Sequence, residues 1–180
     1  MVTKLKVHDH EPLPYQIGDA MVHPVHGIGV ITGLDKIQLG KQSRLCYVMA
    51  IHDNVTLWVP VDAAAQCGLR AVATASGFKA VFGVLRSAAQ PLSEQARDRQ
   101  LEITERFKQG TLEAIGSIIR DLTVRGLSTR LNEHDAKMLR RTQKLLLDEW
   151  VLALGVPQPE AESQLNAMLH ESATLSDRQA

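Results

Sequence analysis

Few residues in this chain have types and spacings that could do chemistry. Seven histidines include two close pairs, His8 with His10 and His23 with His26, which could offer imidazole nitrogens to a transition metal. Zinc-type centres need three or four ligands at recurring spacing. Neither pair has a third and fourth ligand in sequence, so no metal site is expected. Neither Cys46 nor Cys67 has a pair of basic neighbours in sequence that would make a reactive thiolate, and both read as small core residues. Gly27-Ile28-Gly29 lacks the third glycine and the following helix of a phosphate cradle; it reads as a tight strand entry. Gly-x-Ser-x-Gly, Walker and His-Glu-x-x-His motifs are absent, so neither catalytic residues nor a cofactor are expected and the chain does not read as an enzyme. Binding chemistry remains. Trp58 could anchor a protein interface, and the arginines that follow residue 85 could meet phosphate.

Two kinds of element must position these residues. From Tyr15 to about Val72 the sequence reads as short strands (19–22, 27–34, 44–51 and 55–61), broken at Pro24 with Gly27, at 38–41 and at Asp53-Asn54. Sixty residues in four or five strands suggest a small twisted barrel. From Ser76 the apolar spacing becomes helical. Ser76 is expected to cap a first helix carrying Phe78, Val81, Phe82 and Leu85. A second helix starts from the Pro91-Leu92-Ser93 turn and closes at Gly110, and a third runs from Leu112 to near Gly126. Asn132 caps a long fourth helix that Gly155 and Pro157 stop, and Pro159 opens a short fifth through about Leu169. The expected fold class is α+β in two domains: a small all-β barrel followed by an all-α domain of about five helices. The expected boundaries are 1–14 as an N-terminal extension, 15–75 as the barrel, 76–172 as the helical domain and 173–180 as a frayed tail.

Composition narrows the partners. The chain has 180 residues, 44% hydrophobic and 22% charged, as in ordinary globular domains, and 20 Lys+Arg balance 20 Asp+Glu. No global charge draws it to nucleic acid or to an anionic membrane. Locally the charge is segregated: residues 79–144 hold 13 basic and 8 acidic side chains, whereas 145–180 hold one basic and 6 acidic. Two distant cysteines fit a reduced compartment, no apolar run reaches the ~18 residues of a membrane span, and the charged N-terminus lacks a signal-peptide core. A cytoplasmic monomer is expected.

The run from Tyr15 to Val30, with its aromatic-x-x-Gly-Asp lead, Val22-His23-Pro24 turn and Gly27-x-Gly29 strand, resembles the opening of the CarD/CdnL family of bacterial RNA polymerase-binding proteins. The likeness continues through Trp58-Val59-Pro60-Val61, Cys67-Gly68-Leu69-Arg70, Val81 to Arg86, Ile119-Arg120-Asp121-Leu122 and Lys137-Met138-Leu139. It implies a Tudor-like barrel, shared with transcription-repair coupling factor, that docks on the polymerase β subunit partly by strand addition. It also implies a helical domain that faces promoter DNA, and a place near the nucleoid through RNA polymerase. The implied polymerase contacts are Lys36, Arg44, Thr56, Trp58 and Pro60. Trp58 has two readings, an exposed anchor on the docking edge or a filler of the barrel core. The implied DNA contacts are Arg86, Ala96, Arg97 and Arg99. Ala96 stands where the family carries a Trp that wedges into the minor groove, and a methyl group cannot supply the wedge's stabilisation of a few kcal/mol. No helix offers the Arg, Asn and Gln cluster of major-groove readout, so contacts to backbone and DNA shape are implied. The resemblance thus implies a regulator of transcription initiation. The alternative is an interaction module whose barrel binds polymerase or another protein and whose helices bind a protein and leave DNA alone.

Overall fold

The computed structural model of the chain describes residues 13–39, 42–51 and 55–178. Five antiparallel strands form the N-terminal half: β1 (Ala20–His23), β2 (Gly27–Leu39), β3 (Gln42–Ile51), β4 (Val55–Pro60) and β5 (Arg70–Ala71), in the spatial order β4-β3-β2-β1-β5. Gly27 permits the reversal into β2 with φ +80°, a conformation in which a side chain would be strained. Gly29 pairs with Ile51, and a Cβ there would sit 2.7 Å from the Ala50 carbonyl oxygen, so its lack of a side chain lets β2 and β3 close. One face of the sheet buries Met21, Ile31, Tyr47, Met49 and Val59. The turn after β4 lays Ala64 and Leu69 over them. Among the described residues no pairing joins β4 to β5, so hydrogen bonding does not close the expected small barrel; the turn after β4 covers its inner face, and β4 keeps a free edge.

Five helices follow: α1 (Ala75–Arg86), α2 (Ala96–Lys108), α3 (Leu112–Ser128), α4 (Glu133–Leu154) and α5 (Gln158–Asp177). Together the two halves make the two-part α+β architecture read from the sequence. Phe78, Val81 and Leu85 of α1 meet Ile115 and Ile119 of α3, Leu146 and Trp150 of α4, and Leu165 and Leu169 of α5. Gly116 allows the close approach of α3 to α1, since a Cβ there would lie 2.6 Å from Val81 Cγ2. Asn132 caps α4 by accepting from the Asp135 amide at 2.8 Å, and Gly155, at φ +66°, ends it.

Three boundaries depart from expectation. Thr74, not Ser76, caps α1, its side chain accepting from the Gly77 amide. The second helix begins at Ala96, because the chain from Ser87 to Gln95 stays non-helical and its polar groups are taken by α3, α2 and α5. The fifth helix runs to Asp177 in place of a frayed tail. Ser172 and Ala173 are buried, Ser172 donates to the Ser87 carbonyl at 2.6 Å, and Ser176 accepts from the Ala89 amide at 2.9 Å. The expected N-terminal extension lies almost wholly outside the described residues.

The two halves keep separate apolar cores. They are joined by a polar contact in which the Arg70 guanidinium of β5 donates twice to the Glu149 carboxylate of α4, at 2.5 and 2.7 Å.

Candidate interaction surfaces of the sheet and the helices

Strand register sorts the expected polymerase contacts. Cross-strand pairs share a face, and residues two apart on a strand share it too. Cys46 pairs with Pro60, Val48 with Trp58 and Ala50 with Thr56, so Thr56, Trp58 and Pro60 project on the side opposite the core-facing pairs Tyr47 with Val59 and Met49 with Leu57. Arg44 shares the Trp58 side through β3. Trp58 is 47% exposed, which excludes the reading of it as a core filler. Lys36 departs from this group. It pairs with Leu45, whose face is that of Tyr47, so it projects from the other side of the sheet.

Apolar residues share this face with Trp58, alongside Arg44, Thr56 and Asp35. Val30 and Ala50 pair on the same face and both are exposed, and Val48 lies beside the indole across the strand. Cys46 is on this side but fully buried. Burial, followed by the charges of Asp62 and Asp35, pushes its thiol pKa up and Arg44 offsets only part, so the group is a poor nucleophile. Cys67, expected in a core, is exposed in the turn after β4. β4 therefore presents an exposed Trp, an apolar flank and an unpaired backbone edge, the combination that strand addition uses.

The expected phosphate contacts divide in the same way. Arg97 and Ala96, in the first turn of α2, are exposed, and Arg97 has no ion-pair partner among the described residues. Arg86 is half exposed and lies 3.3 Å from Glu171. Arg99 must be corrected. It is 5% exposed, and its guanidinium donates to Asp135 at 2.8 Å and to the Ser93 and Glu94 carbonyls at 2.7 and 3.0 Å. With its donors engaged inside the protein, Arg99 ties α2 to α4 and is closed to phosphate. A neighbouring cluster has the same character: Asp121 accepts from Arg106 at 2.6 Å, from Arg120 at 2.7 Å and from the Gln90 amide at 2.9 Å. At the rim, the Arg125 guanidinium bonded to Glu94 holds that carboxyl below the usual range.

The DNA contacts expected from the sequence leave out a cationic stripe within the basic segment 79–144. Lys137, Arg140 and Lys144 are exposed on one face of α4 at helical spacing, with Arg141 between them. Arg141 stacks over the Phe107 ring at 4.8 Å and reaches the Val25 carbonyl at 3.5 Å, whereas Lys144 is paired with Asp148 at 2.7 Å. Gln100 of α2 and Lys137 line one open hollow, so the Arg97 turn and the α4 stripe are neighbours. The i, i+3, i+4, i+7 pattern was the available signal, masked by the aliphatic residues between.

The histidine pairs fare differently. His8 and His10 lie outside the described residues. His23 Nδ1 accepts from the Val25 and His26 amides at 3.1 and 3.3 Å, which requires an unprotonated nitrogen, and burial with the nearby His26 lowers the His23 pKa. This pair shapes a turn. No group of three or more His, Cys, Asp or Glu able to hold a metal occurs among the described residues, and no helix there is long and apolar enough to cross a membrane.

Comparison with known proteins agrees with this division. Residues 15–73 match the CarD-like/TRCF RID domain, and residues 80–166 match the CarD C-terminal domain. A Bacillus subtilis (strain 168) protein named "Putative transcription factor YdeB" is 23% identical over 150 residues, which cover 83% of this chain and 98% of that protein. The two domain matches, in the order of the two folded halves, show that the chain belongs to the CarD family of transcription factors.

Proposed function

We propose that this protein binds the β subunit of bacterial RNA polymerase through the β4 edge and the Trp58 face, and modulates transcription initiation by setting its helical half against promoter DNA. The observation that carries the reading is Trp58, a large aromatic side chain left exposed on an unpaired edge strand, paired with Val48 and on the same face as Val30. Aromatic anchors of this kind dominate interface energies. Arg44, Thr56 and Pro60 flank it, and Lys36 would reach the partner only from the other side of the edge. The DNA contact rests on Arg97, Arg86 and the α4 stripe of Lys137 and Arg140, cations suited to phosphate and carrying no base code. Ala96 supplies no wedge, so DNA is held by backbone charge. The protein acts by binding, without cofactor or catalysis, as a cytoplasmic monomer.

A second reading draws on Leu101, 58% exposed one helical turn beyond Arg97. An apolar side chain there suits a protein partner for the helical half, with DNA left alone. Promoter-complex lifetimes with and without the protein separate the two. The first reading expects a changed lifetime whose size falls as salt rises. An effect insensitive to salt supports the second, and no effect with polymerase bound removes the DNA role.

A further inference from the structure

We propose that Glu149 locks the two halves into one rigid bracket, so that it fixes the separation between the sheet surface around Trp58 and the cationic faces of α2 and α4. Each half has its own apolar core, and among the described residues no buried apolar cluster spans them. Contacts between domains of one chain permit relative motion unless something large or specific fixes them. Here the specific element is a buried carboxylate. Glu149 is 1% exposed, and beyond the two bonds from Arg70 it accepts from the Ala73 amide at 2.8 Å, in the segment that joins β5 to α1. Arg70 in turn donates from Nε to the Gly110 carbonyl at 2.9 Å, between α2 and α3. One carboxylate thus holds the last strand, the linker and, through the guanidinium, a second helical loop.

The geometry around this lock is consistent. Paired N–H bonds to a carboxylate fix orientation as well as distance. Other contacts between the halves include Arg141 on the Val25 carbonyl at 3.5 Å, and Leu145 of α4 lies close to Gly27 at the start of β2. Neither supplies the angular restraint of the bidentate pair. A bracket matters because two weak sites on one molecule reinforce each other only when both can be engaged at once, and a rigid connection of the right span raises their effective concentration. The benefit to function rests on the proposed polymerase and DNA reading; the lock itself does not.

The test uses the full chain in a Cys67→Ser background, with spin labels attached through Asp62→Cys and Glu162→Cys, both exposed positions. The parent should give one narrow interlabel distance distribution. Glu149→Gln keeps the shape and removes the charge, and Arg70→Ala removes the fork from the more accessible side. Either should broaden the distribution while helix content stays at the parent level. An unchanged narrow distribution in both variants overturns the proposal, as does loss of helix content in both, which would make Glu149 a fold residue of the helical half. With polymerase, both variants should keep the parent affinity for the β lobe yet lose about fivefold or more of any effect on promoter-complex lifetime. If the distribution broadens and no version binds polymerase, the lock stands and the functional reading fails.

Discussion

Arg99 and Asp135 form an ion pair closed to solvent, with Nε and Oδ2 2.8 Å apart and side chains only 6% and 0% exposed. Two arginines in one turn of α2 thereby have opposite roles, Arg97 facing water and Arg99 facing α4. Reversing Arg99 to Glu leaves two carboxylates buried together and should destabilise the protein by roughly 3–5 kcal/mol. Arg97→Glu should change stability by no more than about 0.5 kcal/mol. Urea unfolding of the two variants checks this, and equal losses would contradict the assignment.

Ala96 is exposed at the start of α2, so a larger side chain there meets no packing barrier. Ala96→Trp should lengthen the lifetime of open promoter complexes in a filter-retention or fluorescence assay. A shorter or unchanged lifetime would show that this turn does not face the upstream edge of the bubble.

The α4 stripe predicts salt dependence. Lys137→Glu with Arg140→Glu should weaken DNA binding across sequences alike and reduce the slope of log affinity against log salt by about 0.9 for each phosphate that is no longer neutralised. Titrations at several salt concentrations give the slope. An unchanged slope would remove α4 from the DNA surface.

Gly29 of β2 pairs with Ile51 of β3. A Cβ there would press on Ile51 Cδ1 and the Ala50 carbonyl, and backbone cannot swing aside as a flexible side chain can. Gly29→Ala should cost roughly 1–3 kcal/mol, read by thermal or urea unfolding. Gly33→Ala, a position with open space around the added atom, should cost less.

Local signals carried much of this fold. Asn132 and Gly155 marked both ends of α4 because caps act over a single turn, and the change from alternation to helical spacing near residue 75 marked the boundary between halves. Long-range pairings were not legible. Arg99 looks like any surface arginine until Asp135, 36 residues later, packs beside it. Ala173 and Ser176 looked like a frayed end, yet together with Ser172 their small side chains let α5 lie against the loop after α1. Lys36 and Trp58 could be assigned to faces only once the register and the break between Ile31 and Gly33 were known. The resemblance supplied the family and the candidate residues; the sheet register decided which of them share a surface.

Polymerase docking by this protein turns on Trp58. Titrating the polymerase β-subunit lobe with the full chain and with its Trp58→Ala variant measures that directly. Binding should be saturable and weakened in the variant by more than about 1 kcal/mol, with the unfolding transition unchanged because the indole is half exposed. No binding by the folded parent, or equal binding by both, would contradict it.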